Sequence, residues 1–158
     1  MTDESSKRLA IISVHGTLDM AYPPLILATA ALAMDMEAAI FFTFYGLEIV
    51  KKGNADKLLV APIANPAMPI PVPNIIGMLP GMTGMATGMM NSWMKKANVA
   101  KLSELLEMAV EGGVRLIACQ MSMDVMGIKK EDLIDGIEVS GAATFISYAS
   151  ENAICLSF

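Results

Sequence analysis

A recurring unit constrains this chain more than any other feature. It is a short, continuous apolar run of strand length, closed by a turn and followed by a stretch long enough for a helix. Arg8-Leu9-Ala10-Ile11-Ile12-Ser13-Val14 is the first such run, residues 38–44 are the second, and Arg115-Leu116-Ile117-Ala118-Cys119 is the third. Strands that are apolar at every position, rather than at alternate ones, are buried on both faces, as in parallel sheets. Between the first two runs the spacing predicts a helix over residues 23–36. Pro23 and Pro24 are expected in its first turn, where a missing N–H costs nothing, and Leu25, Leu32 and Met36 on its packing face. Thr17 or Asp19, after the His15-Gly16 turn, is placed to cap it. A short helix ending near Gly53 follows the second run. Strand, helix, strand, helix implies right-handed crossovers and a parallel sheet, hence an α/β fold.

The alternation breaks after residue 57. Residues 58–94 contain no charged side chain, and Pro62, Pro66, Pro69, Pro71, Pro73 and Pro80 fall within that stretch. Prolines at this density predict an extended, partly polyproline-like excursion over residues 62–73. Residues 74–94 turn to Gly and Met, with Gly77, Gly81, Gly84 and Gly88 giving two small-xxx-small pairs that allow close helix approach. Pro80 interrupts the segment and its glycines weaken it as a membrane span. A helical lid or association surface is the first reading, and membrane contact the second. Seven of the 15 Met residues lie between Met68 and Met94, and 54% of the chain is hydrophobic against 17% charged, so more than one core is being covered. An apolar face of this size belongs against a second subunit. A helix over residues 99–112, the third strand, a Met-rich turn at 120–127, a short helix over 130–135, a helix from about 141 to 150 capped near Ser140, and a last strand over 152–158 complete the chain.

At 158 residues the chain is expected to form a single domain, residues 1–158, with an insertion at about 62–95. Its 11 basic residues are scattered and the net charge is -5, which excludes a nucleic-acid footprint. Two Cys and a polar start at Met1-Thr2-Asp3-Glu4 without a signal-peptide pattern point to a reducing, cytoplasmic compartment with free thiols.

Cys119 closes an apolar strand at the carboxyl end, where ligands and chemistry gather in open α/β sheets. The donors of Gln120 to Met123 could hold a thiolate there; the alternative is a buried Cys behaving as a small hydrophobe. Cys155, in the apolar last strand, reads as core. His15, the only histidine, also ends a strand and could share the crevice as an acid or base, or be a polar loop residue. Gly16-Thr17 could offer N–H groups to an anion, but no dinucleotide or Walker pattern follows. One His and two distant Cys do not make a zinc site, and neither metal nor cofactor is expected. Met121 and Met123 are placed to form an apolar wall around the thiol.

The string Ala118-Cys119-Gln120-Met121-Ser122-Met123-Asp124-Val125-Met126-Gly127-Ile128 resembles the DsrE/DsrF/DsrH-like family, together with Gly16-Thr17-Leu18-Asp19-Met20-Ala21-Tyr22-Pro23 and Phe42-Thr43-Phe44-Tyr45-Gly46. The resemblance runs from Lys7 to Phe158 and is to the branch with a long apolar Met/Gly/Pro insertion. It implies a flavodoxin-like three-layer α/β/α fold of about five parallel strands that assembles into homo-oligomers. It also implies sulfur relay: the cysteine matching Cys119 accepts sulfur as a persulfide or thiosulfonate and passes it to a partner thiol, such as a small TusA-like carrier or a rhodanese. A carrier is implied more strongly than a turnover sulfurtransferase. His15, Thr17, Gln120, Met121 and Met123 are the candidates for lining the pocket. Reading the residues alone also leaves open a non-catalytic oligomeric scaffold or ligand-binding module with a structural Cys119, and a redox-sensing thiol with Cys155 as its partner.

Overall fold

A computed structural model of the chain describes residues 7–61 and 80–158. The expectation of an extended segment over 62–73, and the part of the helical insertion before residue 80, lie outside the described residues.

Five parallel strands form one sheet in the order β4-β3-β2-β1-β5: β1 (Arg8–Ser13), β2 (Glu37–Phe42), β3 (Arg115–Cys119), β4 (Glu138–Ser140) and β5 (Ala153–Ser157). The three apolar runs are the three central strands. Each is buried along nearly its whole length, because it has a neighbour on either side and packing on both faces. The helices are α1 (Leu18–Leu32), α2 (Met82–Lys96), α3 (Leu102–Glu111), α4 (Gln120–Met126) and α5 (Ala142–Ala149), and a 3₁₀ segment Phe44–Val50 follows β2.

Alternate residues of each strand face opposite sides of the sheet. Leu9, Ile11, Ala38, Ile40, Phe42, Leu116 and Ala118 point into the large core, which α1, α3 and the 3₁₀ segment complete. Ala10, Phe41, Ile117 and Cys119 point to the other side, where Phe145 of α5 covers them and stacks on Phe41 at 5.1 Å between ring centroids. Because β4 and β5 lie at opposite edges, α5 crosses the sheet on this second face. The fold is flavodoxin-like, with one layer of several helices and a second layer that is, among the described residues, α5 alone.

Several expectations need correction. Helix α1 begins at Leu18, not near residue 23, and carries Pro23 and Pro24 in its interior. The Leu18 amide donates to the Leu59 carbonyl at 2.9 Å, which anchors an earlier start, and Leu18, Ala21, Leu25 and Ala28 form the buried stripe. Thr17 is its N-cap residue, but the hydroxyl makes no capping bond. The chain leaves the helix before Met36, through Asp35 at φ +56°. The Met-rich segment after Cys119 is a helix rather than a turn, closed by left-handed Gly127. Strand β4 carries no apolar run and was not anticipated at its position. Cys155 is exposed rather than core, because β5 is an edge strand that the packing on either face covers only in part. Around Gly84 and Gly88 of α2 a Cβ would meet nothing within 4 Å, so these glycines mediate no close helix approach among the described residues.

Candidate functional site

Cys119 is the last residue of β3 and the N-cap of α4. Its thiol therefore lies where the sheet's carboxyl edge meets the first amides of a helix. The residue is 4% exposed. In the register of β2 and β3, Phe42 pairs with Ala118, so one residue further on Thr43 stands abreast of Cys119. On the other side Ser140 of β4 pairs with Cys119 directly. Hydroxyl side chains thus flank the thiol from both neighbouring strands, and Ser140 Oγ is itself 2.6 Å from Thr144 Oγ1 at the start of α5.

Helix α4 supplies the third hydroxyl. Ser122 is fully buried, with its Oγ 2.8 Å from Thr43 Oγ1. Burial by itself pushes the Cys119 thiol up, but hydrogen bonds from the Ser122 hydroxyl and amide, the Thr43 hydroxyl and the Met121 amide outweigh it. The net effect is a thiol held below its ordinary value, as expected for a thiolate that gains donors in place of water.

Two glycine turns fix the β2 side of this arrangement. A Cβ on Gly46 would lie 2.1 Å from the Ser13 carbonyl oxygen, and one on Gly16 would lie 2.1 Å from the Tyr45 carbonyl oxygen. The turns after β1 and β2 therefore interlock through bare backbone. Phe44, directly after Thr43, has φ +47°, an outlier for an aromatic residue and a conformation held by its surroundings. Phe44, Tyr45, Met121 and Val125 are 43, 69, 60 and 71% exposed, so the elements carrying the site also carry an apolar rim.

The remaining candidates are placed as follows. His15 is exposed beyond the end of β1, and β2 stands between that strand and β3. Thr17 Oγ1, at the start of α1, is buried with no hydrogen-bond partner among the described residues. The Gln120 side chain donates to Asp124 Oδ1 at 2.8 Å along the outside of α4. Met121 points outward, whereas Met123 is 2% exposed and belongs to the large core, not to the cluster around Cys119. Thr43, Ser122 and Ser140 were not singled out from the sequence. Thr43 and Ser122 do fall inside the strings quoted for the resemblance, and that was the available signal.

Cys155 cannot reach the site. It pairs with Ala10, four residues back along the strands from the Cys119 rung and three strands away. With about 4.8 Å between strands and about 3.3 Å per residue, the separation is about 19 Å, far beyond the span of a disulfide. A resolving role for Cys155 toward Cys119 within one chain is excluded. Among the described residues no three His, Cys, Asp or Glu side chains gather to hold a metal ion. Three surface clefts, of about 460, 580 and 550 Å³, are lined by other residues.

A doubly wound parallel sheet with a donor-held thiol at a strand end defines a class of thiol-bearing α/β domains. Within that class, residues 5–157 match the model of the DsrE/DsrF/DrsH-like family, and the chain belongs to it. It is 47% identical to the sulfur carrier protein DsrE2 of Allochromatium vinosum, over 95% of this chain and 97% of that protein. It is 36% identical to the uncharacterized protein YrkE of Bacillus subtilis, over 97% and 98% of the two chains. Among solved structures it is similar to a protein of unknown function from Methanobacterium thermoautotrophicum (TM-score 0.55, 10% identity, 97% of this chain and 100% of that one). It is also similar to the ychN protein from E. coli (TM-score 0.51, 14% identity, 95% and 99%). The two structures share its fold.

Proposed function

We propose that this protein is a sulfur carrier in which Cys119 accepts sulfur as a persulfide or thiosulfonate and passes it to a partner thiol. The observation that carries the reading is the Cys119 thiol itself: buried among apolar side chains, yet held below its ordinary value by hydrogen bonds from Ser122, Thr43 and Met121. A structural cysteine in an apolar cluster has no use for four donors. The 47% identity to a protein named as a sulfur carrier supports the same role. A carrier needs a thiolate and a docking face but no metal or nucleotide, and the role is that of a relay rather than a turnover sulfurtransferase.

In this reading the chain works as one domain of the insertion-bearing branch, as a cytoplasmic homo-oligomer. The partner thiol, on a TusA-like carrier or a rhodanese, meets the apolar rim of Phe44, Tyr45, Met121 and Val125. Gln120 and the Met121 amide border the sulfur, and His15 and Thr17 lie further along the same edge. One observation favours a second contact surface. Met85, Met89 and Trp93 form an exposed stripe at helical spacing on α2, beside Lys95 and Lys96. It suits another subunit or, peripherally, a membrane surface; no helix among the described residues is long and apolar enough to cross a membrane.

The test is intact mass after the reduced protein is incubated with polysulfide, thiosulfate or tetrathionate, beside Cys119→Ser and Cys155→Ser. The expected result is a gain of one sulfur or one thiosulfonate group in the wild type and Cys155→Ser, absent in Cys119→Ser, and removable by a carrier thiol. No adduct with any donor overturns the proposal and leaves Cys119 as a packing residue.

A further inference from the structure

Sulfur relay turns on one atom, Cys119 Sγ, and two hydroxyls from distant parts of the chain are placed beside it. Beside Cys119 Sγ, Thr43 Oγ1 and Ser122 Oγ lie 2.8 Å from each other; Thr43 stands abreast of Cys119 in the strand register, and Ser122 is in the first turn of the helix that Cys119 caps. In the neutral state these three atoms share three protons, and each group can donate to the next. Remove the thiol proton and two remain, both on oxygen. Each hydroxyl can then turn its hydrogen onto the sulfur, at the cost of the 2.8 Å bond between them. Ser122 is 0% exposed and so has no water to turn to instead.

The two residues come from different elements, Thr43 from the end of β2 and Ser122 from α4, which are separated by 79 positions in sequence. Their meeting at the thiol follows from the strand register and the interlocked glycine turns, not from local helix geometry. We infer that Thr43 and Ser122 are positioning residues for the transfer reaction, a hydroxyl pair that holds the Cys119 sulfur in its anionic form both when it attacks and when it leaves.

This inference rests on the relay reading, and the chemistry shows why one pair serves both steps. On loading, the Cys119 thiolate attacks the outer sulfur of a donor persulfide. The new S–S bond forms at Cys119, the donor's S–S bond breaks, and its electron pair departs with the donor thiolate; no net oxidation occurs. On unloading, the partner thiolate attacks the outer sulfur now on Cys119, that S–S bond breaks, and the electron pair returns to Cys119 Sγ. In both directions Sγ carries negative charge in the state without cargo, and thiol exchange is faster when the attacking group is ionised and the leaving group is stabilised. Replacing two good donors with apolar surface would leave a buried anion among Phe41, Ile117 and Phe145 with amides only.

The experiment uses the full chain in a Cys155→Ser background, with Thr43→Val, Thr43→Ser and Ser122→Ala. Two quantities are read: the pH profile of iodoacetamide alkylation, and sulfur uptake from sodium polysulfide by intact mass. Thr43→Val keeps the shape and loses the hydroxyl. It is expected to move the alkylation midpoint upward and to slow uptake at pH 7 about tenfold, the effect of one strong hydrogen bond to a charged group. Ser122→Ala is expected to do the same, and Thr43→Ser to stay within about twofold of the parent. Coincident profiles for the parent, Thr43→Val and Ser122→Ala overturn the inference. If the parent takes up no sulfur, the relay reading fails instead, while the alkylation profiles still report on the hydroxyl pair. A merely structural threonine would alter the unfolding midpoint without moving the pH profile.

Discussion

The two thiols of this chain share one sheet and have little else in common. Cys119 ends a central strand, is 4% exposed and is surrounded by donors, whereas Cys155 lies in the edge strand β5, open to solvent, with the Ala153 carbonyl 3.8 Å away as its hydrogen-bond acceptor. By exposure alone Cys155 is the more available nucleophile. By environment the order reverses, because reactivity follows the thiolate and the thiolate follows the donors. What distinguishes the pair is position along the strand: the last residue of β3 meets the amides of the next helix, and a residue within β5 meets only its own ladder.

Four changes break or sharpen this contrast. The largest is Cys119→Ser, which is expected to abolish sulfur uptake, while Cys155→Ser leaves it within about twofold; intact mass reads both. Next is Phe145→Ala. It removes the ring stacked on Phe41 and the cover over Cys119, and should cost about 3–4 kcal/mol in urea unfolding. In the same variant Cys119 should alkylate faster and Cys155 at an unchanged rate, provided the measurement is made where the fold is retained. An unchanged Cys119 rate would show that α5 does not limit access. A smaller effect concerns pH. Because the thiol is lowered in the folded state, its stabilisation is fully present above the ordinary thiol value and is lost as pH falls through the lowered one. Between those two values the unfolded chain holds more protons. Unfolding free energy should therefore rise with pH across that window, and the rise should vanish in Cys119→Ser but persist in Cys155→Ser. The smallest is Arg115→Met, at the opposite end of β3, where the guanidinium bonds Glu138 at 2.8 and 3.0 Å in a half-exposed ion pair. It should cost under about 1 kcal/mol by thermal unfolding and leave the Cys119 alkylation profile in place.

The central strands were legible because burial on both faces forces apolar residues at every position, and three such runs are unambiguous in this chain. Strand β4 was not, since Glu138-Val139-Ser140 is a short edge strand of intermediate burial that needs no apolar run. Cys155 was misplaced for a related reason: Ala153-Ile154-Cys155-Leu156-Ser157 reads as apolar text whether the strand is central or at an edge, and only sheet order tells the two apart. In the sequence the two prolines of helix α1 look like a first turn, whereas the Leu59 carbonyl anchors the chain five residues earlier. At the site, the thiol was visible as the end of a strand. The hydroxyls were not, because Thr43 and Ser140 acquire their relation to Cys119 only once the register is known.

The route of α5 has a consequence for how cargo enters. Strands β1 to β4 pair in chain order with their helices on one side, so α5 and β5 form a closing strap that runs back over the sheet and fastens to the free side of β1. Lifting that strap breaks one strand ladder and one small apolar cluster and strips Leu156 and Phe158 from the edge of the main core, but leaves its fully buried centre in place, so it costs less than global unfolding. Amide hydrogens of α5 and β5 would then exchange before those of β1 to β3. Cys119, only 4% exposed, would be reached in moments of breathing, with the thiol ready beneath α5 and the strap setting how often it is seen.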